Sequence, residues 1–138
     1  MARTIMTRLT HGGDLVPELE RLAAQHGLTR GTVQVIGALK GAMLGFYQQE
    51  EKRYQIQAVS CPVEILSGLG NISLRDGRAM VHLHLVISGE DGHCLGGHAM
   101  RDCIIYAAEA VLTEVEGPPL VRTLDETTGL SLWDMDTV

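Results

Sequence analysis

The chain has 138 residues, a length that suits one domain spanning 1–138. Apolar residues make up 45% and charged residues 20%, an ordinary globular composition without the long apolar run that a membrane helix needs. With 11 basic against 17 acidic side chains the net charge is −6, which disfavours a sequence-independent grip on nucleic acid.

"RTIMTRLTHG" alternates apolar and polar residues and reads as a first strand. A helix follows. Asp14 is a good N-cap, Pro17 is tolerated in the first turn, and Leu15, Leu19, Leu22 and Ala23 recur at helical spacing. Gly27 is the expected stop. Five strand candidates come next, cut by glycines: "GTVQVIGAL", "GAMLGFYQQ", "RYQIQAVS", "VEILSGLGNISLRDG" and "MVHLHLVIS". Their density points to an antiparallel sheet or barrel rather than βαβ units. Asp76-Gly77 and Asp91-Gly92 are hairpin signals.

"RDCIIYAAEAVLTEVEG" is divided between helix and strand. Its alanines and glutamates favour helix, while Ile104, Ile105, Val111 and Val115 favour strand. The tail from Gly117 reads as short strand or coil, with Trp133 pinning it or meeting another subunit. "GLGNIS" lacks the Lys-Ser/Thr of a phosphate loop and reads as a bend or bulge. The odd set Cys61, Cys94 and Cys103, with no CxxC, fits a reducing compartment. With no apolar leader at the start, the expected location is cytoplasmic.

The chemistry concentrates in "HLHLVISGEDGHCLGGH", residues 82–98. On a strand, His82 and His84 share one face about 7 Å apart at Cα, close enough for both imidazoles to reach one ion. A return strand brings up His98. A turn centred on Glu90 sets His98 opposite His82, and one centred on Asp91 sets it opposite His84. A turn between the two puts His98 on the wrong face unless Gly96-Gly97 forms a bulge. Three histidines with an open position match a catalytic rather than a structural zinc site, although iron, nickel or copper also accept three imidazoles. The competing reading is a hairpin whose histidines only hydrogen-bond. His93 reads as a solvated loop residue, His26 as a helix-end residue and His11 as a loop residue. Cys94 and Cys103 flank the histidines and are possible thiolate ligands, though free cysteine is usually a small buried hydrophobe.

The ordered blocks "TRLTHGGDLVPELERLAAQHGL", "GTVQVIGAL", "VEILSGLG", "GNISLRDGRAMVHLHLVISGEDGHCLGGHAM" and "AEAVLTEVEG" resemble the plant and prokaryote conserved (PPC) domain family over nearly the whole chain. The resemblance implies an α+β fold, with a largely antiparallel sheet of about seven strands and one or two packed helices. It also implies a homotrimer, and it makes the divided segment around residues 104–115 a strand. Plant copies follow a DNA-binding AT-hook, and stand-alone bacterial copies are often labelled DNA-binding. This chain has no Arg-Gly-Arg-Pro hook. A DNA-binding module would need a basic patch drawn from Lys40, Lys52, Arg53 or Arg75.

The HxH…GGH block is also similar to the zinc site of acetolactate decarboxylases, whose three zinc-holding histidines fall on His82, His84 and His98 here. That likeness covers only the hairpin, with a longer loop. It implies a carbonyl or carboxylate ligand, an arginine for the carboxylate and a glutamate for proton transfer. Arg101, Glu64 and Glu109 are the candidates by residue type. A structural or ligand-sensing trimer without metal is the remaining alternative.

Overall fold

The computed structural model describes residues 2–134. Strand β1 (Thr4–Arg8) leads into helix α1 (Leu15–Gln25), which buries Leu15, Val16, Leu19, Leu22 and Ala23. The helix stops at His26, and Gly27 follows in the left-handed region with φ 65°. Asp14 occupies the N-cap position without capping the helix through its side chain. Its carboxylate instead accepts hydrogen bonds from the backbone N–H groups of Asp102 (2.9 Å) and Cys103 (3.1 Å). The helix start is thereby tied to the chain just before β7 (Ile104–Glu114).

The two expected strands "GTVQVIGAL" and "GAMLGFYQQ" are one strand, β2 (Gly31–Gln48). The break expected at Gly41 does not occur, since Gly41 pairs with Ile104 inside the strand, and Gly37, with φ 143°, bends β2 upstream of it. The pairing register shifts around this point on both edges. The strand survives because it is held all along its length. Its first half pairs with β7 and with β4 (Val63–Arg75), and its second half pairs with β3 (Arg53–Val59). Strand β5 (Arg78–Ser88) follows β4 through the Asp76-Gly77 turn, both residues having positive φ. Strand β6 (Cys94–Ala99) pairs with β5 and then touches β2 again, with Gly45 opposite His98. The seven strands run β1-β7-β2-β4-β5-β6, with β3 on β2 and all pairings antiparallel.

The divided segment is therefore a strand. Paired on one edge with β1 and on the other with β2, β7 buries Ile105, Ala108, Ala110 and Leu112. That pairing outweighs the helix preference of its alanines. The "GLGNIS" glycines lie in regular pairing, and the bulge of β4 falls earlier, between Ile65 and Ser67. The tail forms a small hairpin of β8 (Arg122–Leu124) and β9 (Ser131–Trp133).

The core lies between α1 and the sheet. From β5 it takes Val81, Leu83, Leu85 and Ile87, each worth about 1.5–3 kcal/mol on burial. Period-two alternation sends His82, His84 and Val86 to the other face, away from that core. No helix among the described residues is long and apolar enough to cross a membrane.

Candidate metal centre

The β5–β6 hairpin decides which histidines meet. Ser88 pairs with Cys94 and His84 pairs with His98, so the turn centres on Asp91. Gly92 (φ 78°) closes the loop, its N–H donating to the Gly89 carbonyl. Gly96 and Gly97 pair in regular register with Val86 and Leu85, so no bulge is needed to bring His98 round. On the other side of β5, β4 supports His82. Asn71 stands opposite it, and neighbouring Gly70 admits the β5 backbone so closely that a Cβ there would run into the His82 carbonyl.

The three rings gather with centroids 4.9 Å (His82–His98), 5.0 Å (His82–His84) and 5.6 Å (His84–His98) apart. The Nε2 atoms of His82 and His84 lie 3.2 Å apart, and one ligand atom from each of the three residues falls within 4.8 Å of the others. His84 is exposed, while His82 and His98 are half-buried. Burial first, then the neighbouring His82, His84 and Arg122, push the His98 imidazole down to about 4. Burial, then Arg122 and His84, also lower His82. His82 and His98 are therefore neutral at pH 7, the state in which imidazole offers a lone pair to a cation. The His98 Nδ1 atom is buried with no hydrogen-bond partner among the described residues. The Tyr54 ring packs on His98 at 5.0 Å, and Tyr47 packs on Tyr54 at 5.1 Å.

This donor set suits a transition metal. Ligands about 2.0–2.1 Å from a tetrahedral ion stand about 3.4 Å from one another. The His82–His84 separation already matches that spacing, and a modest turn of the His98 side chain would complete it. Three imidazoles and no carboxylate favour zinc, iron, nickel or copper over magnesium or calcium.

Beside the cluster lies a cavity of about 370 Å³, walled by His82 and His98 on one side and by the β8–β9 hairpin on the other. Arg122, only 7% exposed, lines it. Its guanidinium donates to Ser73 Oγ (2.9 Å), the Ser131 carbonyl (2.9 Å) and Asn71 Oδ1 (2.8 Å), and lies 4.8 Å from the centre of the Trp133 ring. Sequence reasoning missed Arg122 and Tyr54. The available signal for Arg122 was one arginine inside the apolar "PPLVRTL" of the tail.

The Plants and Prokaryotes Conserved (PCC) domain matches this chain over residues 1–116. The chain belongs to this family. The metal-containing protein AF0104 from Archaeoglobus fulgidus superposes with a TM-score of 0.90 at 35% identity, covering 95% of this chain and 92% of that one. A plant- and prokaryote-conserved protein from Pyrococcus horikoshii gives a TM-score of 0.91 at 30% identity, covering 96% and 91%. A Bacteroides thetaiotaomicron protein with a provisional DNA-binding assignment gives 0.88 at 25% identity, covering 96% and 92%. The Bifunctional protein GlmU of Synechococcus sp. (strain JA-3-3Ab) is 37% identical over 129 residues, which are 92% of this chain. The chain spans about one fifth of that relative's length.

The other candidates are dispersed over this PCC domain. Glu64 lines a separate cavity of about 500 Å³ with Lys40 and Tyr106. Arg101 is exposed and pairs with Glu20 at 3.8 Å. Glu109 is exposed on β7. None of the three lines the histidine cavity within this chain. Cys94 is exposed at the first position of β6, four residues from His98, and Cys103 is buried with its thiol against the Met43 and Met100 carbonyls, so neither joins the cluster. His93 pairs with Asp91 in the turn, and His11 contacts the Tyr106 carbonyl. Of the four expected basic residues, Lys52, Arg53 and Arg75 line the histidine cavity and Lys40 does not.

Proposed function

We propose that this PCC domain binds one divalent transition metal, zinc by preference, through His82, His84 and His98. The observation that carries this reading is the convergence of three ring nitrogens within 4.8 Å on one sheet face. The metal-containing Archaeoglobus relative supports it. With zinc bound, His82, His84 and His98 would hold it, and it would supply Lewis-acid polarisation of a small carbonyl or carboxylate ligand. The chain's own residues shape that approach. Tyr54 fixes the His98 ring from one side, Asn71 and Gly70 fix the β5 backbone at His82, and the β8–β9 hairpin roofs the cavity. Metal content of the purified protein and of single histidine variants tests the reading.

The working assembly in this proposal is a cytoplasmic homotrimer. Exposed apolar side chains such as Phe46, Leu69 and Tyr106 support self-association. Mass by light scattering tests it, and a monomer would refute it.

A DNA-binding reading has one specific observation in its favour, the gathering of Lys52, Arg53 and Arg75 at one cavity. The net charge of −6 and the small, walled shape of that cavity weigh against a duplex.

A further inference from the structure

The charge around the histidine cavity is one-sided. Four cationic side chains line it, Arg122, Lys52, Arg53 and Arg75, and no Asp or Glu among the described residues does. Two of the four have other attachments. Lys52 Nζ donates to the Glu126 carbonyl at 2.9 Å and lies near Asp125, and Arg75 leans on the exposed Asp76 at 3.8 Å. Arg122 is different. It is over nine-tenths buried, its three partners are all neutral, and it takes part in no ion pair among the described residues.

A buried charge without a counter-charge is costly, and folded chains normally pair it. Among the described residues three acceptors use three of the five guanidinium N–H groups, leaving one on each terminal nitrogen for a further acceptor. Those two nitrogens form the fork that suits a carboxylate or phosphate. A divalent metal on the histidines would add more positive charge to the same cavity, so the excess calls for an anion. The volume of about 370 Å³ is at the scale of a small metabolite.

We infer that this cavity is an oxyanion pocket in which Arg122 anchors the carboxylate or phosphate of a small molecule, with Arg53 and Arg75 at the rim and the ligand's far end toward the three histidines. The inference deepens the metal reading and rests on it only for that far end. Anchoring by Arg122 does not require the ion.

Trp133 provides the readout. It is the chain's one tryptophan, and Arg122 sits over its ring. Metal-free and zinc-loaded protein would each be titrated with succinate and with inorganic phosphate at constant ionic strength, following Trp133 fluorescence. The expected result is a saturable change with at least one anion. Binding should weaken at least tenfold in Arg122→Gln and at least threefold in Arg53→Gln, an exposed site whose change leaves the fold intact. Tighter succinate identifies a carboxylate ligand and tighter phosphate a phosphorylated one, and both support the pocket. No saturable response to either anion in either metal state overturns it. So does binding that neither variant weakens. Anion binding without metal uptake would sink the metal proposal alone, and metal uptake without anion binding would sink this one alone.

Discussion

His84 and His98 stand directly opposite each other across β5 and β6. That pairing follows from a turn centred on Asp91, and one residue of slip would send His98 to the core face. The site therefore depends on strand register as much as on the identity of its ligands.

Gly70→Ala tests the backbone support of this register. A Cβ at Gly70 would collide with the His82 carbonyl, so β4 and β5 must move apart. The expected cost is about 1–3 kcal/mol of stability. Weaker metal uptake should accompany it, read by denaturant unfolding and by zinc titration of the same variant. Native stability and native uptake together would show that the close approach does not matter.

Arg122→Ala tests the link between tail and sheet. The change strands Ser73 Oγ and Asn71 Oδ1 and removes the cation from the Trp133 ring. A loss of about 2–4 kcal/mol is expected, with a red shift of Trp133 emission as β8–β9 detaches. An unshifted spectrum would mean that the hairpin is held by other contacts.

Much of this was legible in the sequence. The helix from Leu15, the Asp76-Gly77 hairpin and the outward face of His82 and His84 follow from local spacing and turn chemistry. The fate of Gly41 was not legible, because a glycine that separates two strands and one that lies within a single strand look alike until the pairing is known. The three-histidine cluster was foreseen with two plain registers and a bulged one open, and the register came from a five-residue loop. Arg122 was invisible for another reason. It lies 51 residues from Asn71 and 49 from Ser73, and no local pattern links them.

Glu18 sets a pH dependence. Hydrogen bonding to the Arg21 guanidinium, opposed by burial and aided by Thr10, holds its carboxyl at about 2, below an ordinary value near 4.5. A carboxylate depressed in the folded state contributes stability that is present above about 4.5 and lost as pH falls toward about 2. Glu18→Gln should cost about 1 kcal/mol at pH 7 and flatten the acid limb of the stability curve between those values. An unchanged acid limb would contradict this assignment.

Duplex DNA is expected not to bind at physiological salt. An electrostatic grip would show affinity falling steeply with added salt and relieved by Arg53→Gln or Arg75→Gln. Fluorescence anisotropy of a labelled duplex from low to moderate salt reads this directly. Tight binding with that salt slope would revive the DNA reading.

The most direct test of the central claim is the metal content of untagged protein by elemental mass spectrometry, repeated on His84→Ala. His84 is the exposed ligand, so its removal leaves the core intact. The account predicts near one transition metal per chain in the parent and a loss of at least tenfold in the variant, with unchanged circular dichroism. No metal in the parent after zinc is supplied, or the same content in both, would contradict it.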